Sequence, residues 1–467
     1  MPPAYPVPCP ALIRASTGEN MPSPARRPAR RLTAPLVALT IALLVVSGWV
    51  APATAREGNV ATPGNFTGYG FDQCLAPEQS TMDRWLNRSP FLAVGIYVSG
   101  DSRGCRSQPN LTPTWVSTQL SKGWRLLPIT LGPQASCSTH FPRYGSDETI
   151  DPYPGAEGKY GRAKAQAIEQ AEESVSDAAA LGIAQGSALW YDLEGFDDTR
   201  TACRESALRF LSAWTGRVRK LGYLAGVYSS AGSGIEMLDR ARAAGESYRY
   251  PDYIWIARWD GVANTRTSYI SDEGWNPHRR IKQYQGGHNE TWGGVTINID
   301  RNWLDLGKGS VGPPNLSLCG GLKLNFFVYQ ALGPEVRRPY KTAALQCLLS
   351  EKGLYDGKFT GTYDAATSAA ANLWQARVGA TVSSTWSTSN WSTLLSAGSA
   401  PVVKIGSANR AVRRLQRALN AELPTARLHT TGLFDAATVS ALRTWQQRSD
   451  LPVSGVAAAN TWARLQS

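Results

Sequence analysis

Charged side chains are scarce in this chain of 467 residues. They make up 18% of it, and acids are the scarcer sign, with 36 Asp and Glu against 48 Lys and Arg. With 42% hydrophobic residues, so little charge excludes a disordered chain and predicts a folded one. The chain lacks any long Lys/Arg run and any nucleic-acid-binding motif, so nucleic acid is not the partner expected for its net charge of +12. Histidine is rare: His140, His278, His288 and His429 are all there is. No two of them stand at metal-ligand spacing, and no Cys-x-x-Cys occurs. That excludes a structural zinc site and the paired-His chemistry of a phosphodiesterase, and no metal or cofactor is expected. A full Gly-x-Ser-x-Gly is missing too; Ala231-Gly232-Ser233-Gly234 is incomplete and reads as a loop. Beyond residue 55 no apolar run is long enough to span a membrane. Collagen-like, low-complexity and multispanning chains are thereby excluded.

What is present begins with an address. Arg26, Arg27, Arg30 and Arg31 precede an apolar stretch from Leu36 to Val46, and Ala53-Thr54-Ala55 follows. A basic region, an apolar region and a small-x-small tripeptide form a secretory signal peptide over residues 1–55, with Met21 as an alternative start. The competing reading is an uncleaved anchor helix, for which the run is short. Membrane contact is therefore expected only through this segment before cleavage, and the mature protein is expected to be secreted, extracellular or bound to the cell wall. Removing it takes away Cys9 and leaves 43 basic and 35 acidic residues. Cys74, Cys105, Cys137, Cys203, Cys319 and Cys347 remain, an even count that favours disulfides in an exported chain. Sequence alone does not choose their connectivity; neighbour pairing is the working expectation.

From residue 66 short apolar runs alternate with helical stretches. Candidate strands lie at 67–72, 92–98, 125–131, 187–193, 223–229, 253–259, 280–285 and 295–299, with helices at 78–87, 113–122, 157–181, 203–220 and 234–244. Eight strands alternating with helices over residues 66–307 predict an α/β fold, a TIM-like (β/α)8 barrel. Its last crossovers are poor in helix, so the barrel is expected to be irregular. Gly286-Gly287 and Gly293-Gly294 read as turns. Residues 308–339 read as a linker, with Gly309-Ser310-Val311-Gly312-Pro313-Pro314-Asn315 at its start.

Two similar segments follow, 340–396 and 403–466. Gly361-Thr-Tyr-Asp364-Ala-Ala-Thr367 recurs as Gly432-Leu-Phe-Asp435-Ala-Ala-Thr438, Trp374-Gln375 as Trp445-Gln446, and Trp391 as Trp462, all offset by 71. Matches in one order at one offset mean a duplicated module, each copy reading as three small helices. The pair resembles the peptidoglycan-binding three-helix module of bacterial wall hydrolases, and the first copy departs further from its pattern, with Tyr363 for Phe. The resemblance implies peptidoglycan, or another anionic envelope glycan, as partner. The second copy carries nine basic and three acidic residues from Lys404 on, which is either a solvated basic face or a surface for an anionic wall polymer.

In a β/α barrel the active site lies at the C-terminal ends of the strands. Several of those ends carry acids: Asp72, the pair Asp192 and Glu194, Asp260 after Trp259, and Asp300. Asp192 and Glu194 are two apart, so on a strand they face one side, with Trp190. Inside a barrel their repulsion raises one pKa, leaving a carboxyl able to act as general acid beside an ionised neighbour. Asp72, Asp192 and Glu194 are the catalytic candidates, and Trp259, Asp260, Gln283, Tyr284 and Asp300 the substrate-binding ones. Trp255, Trp259, Trp275 and Trp292 serve equally as sugar platforms or core.

The segments GYGFDQC (68–74), GWRLLPITLGPQASC (123–137), YDLEGF (191–196), WIARWDG (255–261) and QYQGGHNETWGGVTINIDRNWL (283–304) carry a second resemblance. Residues 68–306 resemble the actinobacterial glycoside-hydrolase-like barrel domain, similar in layout to Chalaropsis-type lysozymes. Those enzymes have an Asp after strand one, an Asp-x-Glu after strand four and an acid at the last strand; Asp72, Asp192, Glu194 and Asp300 match these places. The resemblance implies Glu194 as general acid, with Asp192 or Asp72 stabilising the oxocarbenium-like state or assisting a substrate N-acetyl group. The Asp-x-Glu is also similar to the chitinase motif, but Trp190 stands where chitinases have a further Asp. Two functions follow as expectations: a secreted monomeric muramidase held on the wall by its repeats, or a non-catalytic protein whose barrel binds wall glycan.

Overall fold

The computed structural model describes residues 58–307, Cys319 and residues 321–467. The signal segment, Cys9 and the 309–315 stretch lie outside the described residues. In chain order the barrel begins with β1 (Thr67–Asp72), β2 (Ala93–Ser99) and β3 (Arg125–Thr130). The short strands β4 (Gln134–Ala135) and β5 (Thr149–Ile150) pair with each other outside it. Then come β6 (Ala188–Asp192), β7 (Leu224–Ser230), β8 (Tyr253–Ala257), β9 (Arg280–Trp292) and β10 (Val295–Asp305). Around the closed barrel the order is β1-β10-β9-β8-β7-β6-β3-β2.

Helices α1 (Gln79–Arg88), α2 (Pro113–Ser121), α3 (Gly161–Ala180), α4 (Thr201–Lys220) and α5 (Glu236–Ala243) connect the strands up to β8. Their starts follow capping chemistry. Thr112 accepts from the Trp115 amide at 3.1 Å, and Pro113 fills the first helical position, where its missing N–H costs nothing. Helix α3 buries an alanine face (Ala163, Ala167, Ala171, Ala178), which lets it lie close to the sheet.

The barrel departs from the eight-fold parallel plan at its end. Strand β10 runs antiparallel to both β9 and β1. The cause is local: Gly293 (φ 59°) and Gly294 (φ 78°) make a two-residue turn, which closes a hairpin and is far too short for a crossover. Both strands are longer than the sequence pattern indicates, and Gly286-Gly287 lies inside β9 rather than in a turn.

The lumen is filled by large rings set against glycines. Gly70, Gly95 and Gly226 each stand two residues before a residue of the barrel mouth: Asp72, Tyr97 and Tyr228. A Cβ on Gly226 would sit 2.3 Å from the Trp190 ring, so only glycine leaves room for it. Trp190 and Trp255 meet edge to face at 5.6 Å and close the barrel beneath the mouth.

Beyond the barrel, α6 (Pro339–Ser350), α7 (Ala365–Arg377) and α8 (Thr388–Ser396) form the first repeat, and α9 (Arg410–Glu422), α10 (Ala436–Arg448) and α11 (Ala459–Leu465) the second. The repeated motif residues are internal staples. Asp364 and Asp435 cap α7 and α10 by accepting from Thr367 and Thr438 amides at 2.8 and 2.9 Å. Gln346 accepts from Gly361 N–H and donates to Thr362 O; Gln416 does the same with Gly432 and Leu433. Both repeats share one core. Leu324, Tyr329 and Leu332, in the stretch read as linker, belong to that core.

The second repeat is fastened to the barrel. Lys404 is 1% exposed, and its ammonium donates to Ser89 O at 3.0 Å, Phe91 O at 2.8 Å and Trp85 O at 3.4 Å. It also lies 5.3 Å from the centre of the Trp124 ring. Three donors thus meet three main-chain carbonyls at the end of α1. Gly406 packs on Phe66 just before β1, the opposite end of that strand from Asp72. The repeat therefore sits at the closed end of the barrel, away from the mouth.

Candidate active site

Four acids converge at the mouth. Asp72 ends β1 and is the cross-strand partner of Asp300 on β10. Because β10 is antiparallel, Asp300 reaches the mouth from inside a strand rather than at its end. Asp192 ends β6, and Glu194 follows two residues beyond.

Their environments differ. Asp72 is 3% exposed and surrounded by amide donors: Asn302 Nδ2 at 2.6 Å and Gln283 Nε2 at 3.3 and 3.4 Å. Burial pushes its carboxyl up, these donors pull it down, and the result is about 6. Burial, and then the Asp72 charge, drive Asp300 well above the carboxylate range. Within this pair Asp300 is the acid more strongly biased toward its protonated form. Asp192 is also held well above its ordinary value, by burial and then by Glu194 and Asp72. Its Oδ1 has no hydrogen-bond partner among the described residues, and Oδ2 has only the Tyr97 hydroxyl at 3.5 Å. Glu194 is raised by burial, opposed by the charges of Arg143 and His140. The mouth thus holds one buried carboxyl well supplied with hydrogen-bond donors, Asp72, among carboxyls that burial biases toward the protonated form.

The other predicted residues divide. Gln283 is in the site: besides Asp72 it accepts from Tyr228 at 3.0 Å and Trp259 Nε1 at 2.9 Å. Trp259 is 54% exposed and lies flat against Gly286, where a Cβ would come within 2.4 Å of the ring. Trp255 and Trp275 are buried core. Asp260 is not brought to the cluster. It pairs with the buried Lys282 at 2.9 Å, which outweighs the upward effect of burial and holds it below the usual range. Tyr284, next to Gln283, takes the opposite face of β9; it is 6% exposed, and burial moves its hydroxyl up to about 12 beside Arg301 and Tyr69. It is a packing residue outside the lumen. His288 lies within β9 rather than a loop and bonds Glu290 at 3.1 Å.

Sequence reasoning missed Tyr97, Tyr228 and Asn302. The first two had a signal, since Gly95-Ile-Tyr97 and Gly226-Val-Tyr228 repeat the spacing of Gly70-Phe-Asp72. No group of side chains able to hold a metal ion occurs among the described residues.

Two disulfides brace the mouth. Cys74–Cys105 joins the loops after β1 and β2, and Cys137–Cys203 joins the loop after β3 to the start of α4. A third, Cys319–Cys347, ties the stretch read as linker to α6 of the first repeat. All three join neighbours in the order of cysteines.

Comparison with known proteins bears on both parts of the chain. Residues 83–304 match the family model described as "Rv2525c-like, glycoside hydrolase-like domain", and residues 409–465 match "Putative peptidoglycan binding domain". No curated protein matches. Among solved structures, an uncharacterized B. stearothermophilus protein is 16% identical with a TM-score of 0.31, over 51% of this chain and 95% of that one. The Mycobacterium tuberculosis Tat-secreted protein Rv2525c, in complex with L-tartrate, is 14% identical with a TM-score of 0.33, over 51% of this chain and 95% of that one. These matched stretches make the chain one that carries an Rv2525c-like, glycoside hydrolase-like domain followed by a peptidoglycan-binding domain.

Proposed function

We propose that this is an exported, wall-bound glycoside hydrolase that cuts peptidoglycan or a related envelope glycan in the manner of a muramidase. One observation carries the reading: Asp72, Asp192, Glu194 and Asp300 share one barrel mouth, where Asn302 and Gln283 donate to the Asp72 carboxylate and Asp192 has almost no donors. A glycosidic bond needs a proton on its leaving oxygen and negative charge near the developing oxocarbenium ion. Glu194, raised by burial, supplies the proton. Asp72, held by Asn302 and Gln283, supplies the charge or orients the N-acetyl group of the substrate. Asp192 is better suited to stay neutral than to act as that anion, because it has almost no donors. Trp259 stacks on a sugar at the rim.

The repeats supply retention, since tethering raises local substrate concentration without adding a catalytic contact. In this reading residues 1–55 direct export, residues 66–307 are the hydrolase and residues 340–396 and 403–466 meet the wall. The disulfides suit an oxidising, extracellular location.

The test is product identity. Purified peptidoglycan is digested with the compact Glu57–Ser467 unit, and the soluble products are weighed by mass spectrometry. Muropeptides ending in reducing N-acetylmuramic acid are expected. Products cut only in the peptides, or an undigested wall, would contradict the reading.

A further inference from the structure

The strand that carries the Asp-x-Glu segment loses its neighbour one turn of the pleat too early. Strands β3 and β6 pair at Ile129–Trp190 and Thr130–Tyr191 and no further. Beyond Thr130 the chain turns toward β2, with Leu131 N–H donating to Ser99 O, and Pro133 has no N–H to offer. On the other edge the ladder continues, with Leu193 N–H donating to Tyr228 O at 3.0 Å. Main-chain groups of successive residues point to opposite neighbours. Leu193 faces β7, so the Asp192 carbonyl and the Glu194 amide face the gap that β3 has left.

A side chain fills that gap. Gln134 Nε2 donates to Asp192 O at 2.7 Å, and Gln134 Oε1 accepts from Glu194 N–H at 2.8 Å. The second Nε2 hydrogen goes to Gly132 O at 3.1 Å. The amide is 1% exposed and has a partner for each of these groups. One primary amide thus imitates the peptide unit of a missing strand. It extends the β geometry past the end of β6, and that geometry is what puts the carboxyls of Asp192 and Glu194 on one face. The segment holding Gln134 is itself pinned: Tyr191 Oη donates to Pro133 O at 2.6 Å, Ser138 Oγ donates to Gly195 O at 3.2 Å, and Cys137 is bonded to Cys203.

We propose that Gln134 is the positioning residue of the acid site, fixing the Glu194 backbone so that its carboxyl meets the bond to be cut. The inference rests on the hydrolase reading for its kinetic consequence, but not for its structural one. Two variants of the Glu57–Ser467 unit test it. Gln134→Met removes all three side-chain hydrogen bonds, those to Asp192 and Glu194 among them, at similar volume. Gln134→Glu keeps the acceptor and can donate to Asp192 O only while its carboxyl is protonated.

Amide hydrogen exchange at Glu194 is measured first. In Gln134→Met it is expected to accelerate about tenfold or more, because a buried donor loses its acceptor. For release of reducing ends, Gln134→Met is expected to lose about ten- to a hundredfold in kcat with KM within about twofold, as a misplaced acid costs rate rather than binding. Gln134→Glu is expected to recover activity toward acid pH, where its carboxyl donates, and so to show a displaced pH profile. Unchanged exchange at Glu194 in Gln134→Met, or a Gln134→Glu profile parallel to wild type, overturns the proposal. If the wild type releases no ends, the hydrolase reading fails, while the exchange measurement still decides whether Gln134 holds Glu194. If Gln134→Met does not fold, the near-isosteric Gln134→Glu carries both measurements.

Discussion

Asp72 and Asp192 lie at equal depth in one mouth, yet their surroundings give them opposite characters. Asp72 has Asn302 and Gln283 as donors and comes to rest at about 6; Asp192 has a distant tyrosine and stays well above its ordinary value. The sign of the pH dependence follows. Asp72 must be charged to act, so activity falls as pH drops through about 6. Glu194 must carry its proton, so activity falls again as pH rises through its raised pKa. A bell-shaped kcat/KM profile is expected, and Asp72→Asn is expected to abolish its acid limb together with most of the rate. A flat profile from about pH 5 to about pH 8 contradicts the assignment. At this scale the sequence was informative where alternation ruled. Asp192 and Glu194 could be placed on one face because strands have a period of two. Gln283 and Tyr284 were both substrate-binding candidates, although the same rule puts adjacent residues on opposite faces. Asp260 was misleading, because nothing in the sequence tells that the buried Lys282 ammonium takes it. Gln134 was invisible: it acts from the two-residue strand β4, too short for any periodicity to say which way a side chain points.

Strands and loops raise a different question, that of what keeps a mouth built from loops in shape. The barrel itself was legible, since apolar runs alternated with helices at the expected spacing. Its antiparallel closure was not, because Gly286-Gly287 and Gly293-Gly294 read alike although only the second pair has positive φ and turns. The loops around the acids are held by covalent ties, and Cys137–Cys203, whose ends are 66 positions apart in sequence, is the one beside Gln134 and Glu194. Replacing both cysteines by serine is expected to cost about 4 kcal/mol of stability on loop-closure grounds. It is also expected to speed hydrogen exchange across residues 133–138 and 193–197 while leaving β1 and β10 unaffected. Exchange spread evenly over the barrel instead would show that the tie acts on the fold rather than on the mouth.

The whole molecule is organised around a lysine that looked like surface charge. In the sequence Lys404 was one of nine basic residues suited to an anionic polymer; in the structure it is spent on three carbonyls of the barrel. Burial depresses its pKa well below the usual lysine value, so docking is made against a desolvation cost that its hydrogen bonds and the Trp124 ring must offset. The duplication was legible because its repeated residues are staples at nearly one offset, 70 for Gln346 and Gln416 and 71 for Asp364 and Asp435 and for Trp391 and Trp462. How the second copy meets the barrel was not legible, because a contact between distant segments leaves no periodic trace. Lys404→Ala takes the Lys404 donor from Ser89 O and Phe91 O, while Trp85 O keeps Ser89, and is expected to cost about 3 kcal/mol. Calorimetry is expected to show one transition in the wild type and two in the variant, with proteolysis opening between residues 307 and 339. A single, merely shifted transition would mean that the repeats do not depend on this anchor.

The central claim is that Glu194 cuts glycan while the repeats hold the wall. The most direct measurement takes the wild-type Glu57–Ser467 unit and its Glu194→Gln form on the same purified peptidoglycan, following co-sedimentation and the release of reducing ends together. Both forms are expected to pellet with the wall to the same extent, and only the wild type to release ends, with the variant lower by about a hundredfold or more. Equal release from both would remove Glu194 from the chemistry. Pelleting without release from either would make the barrel a glycan-binding domain and contradict the hydrolase account.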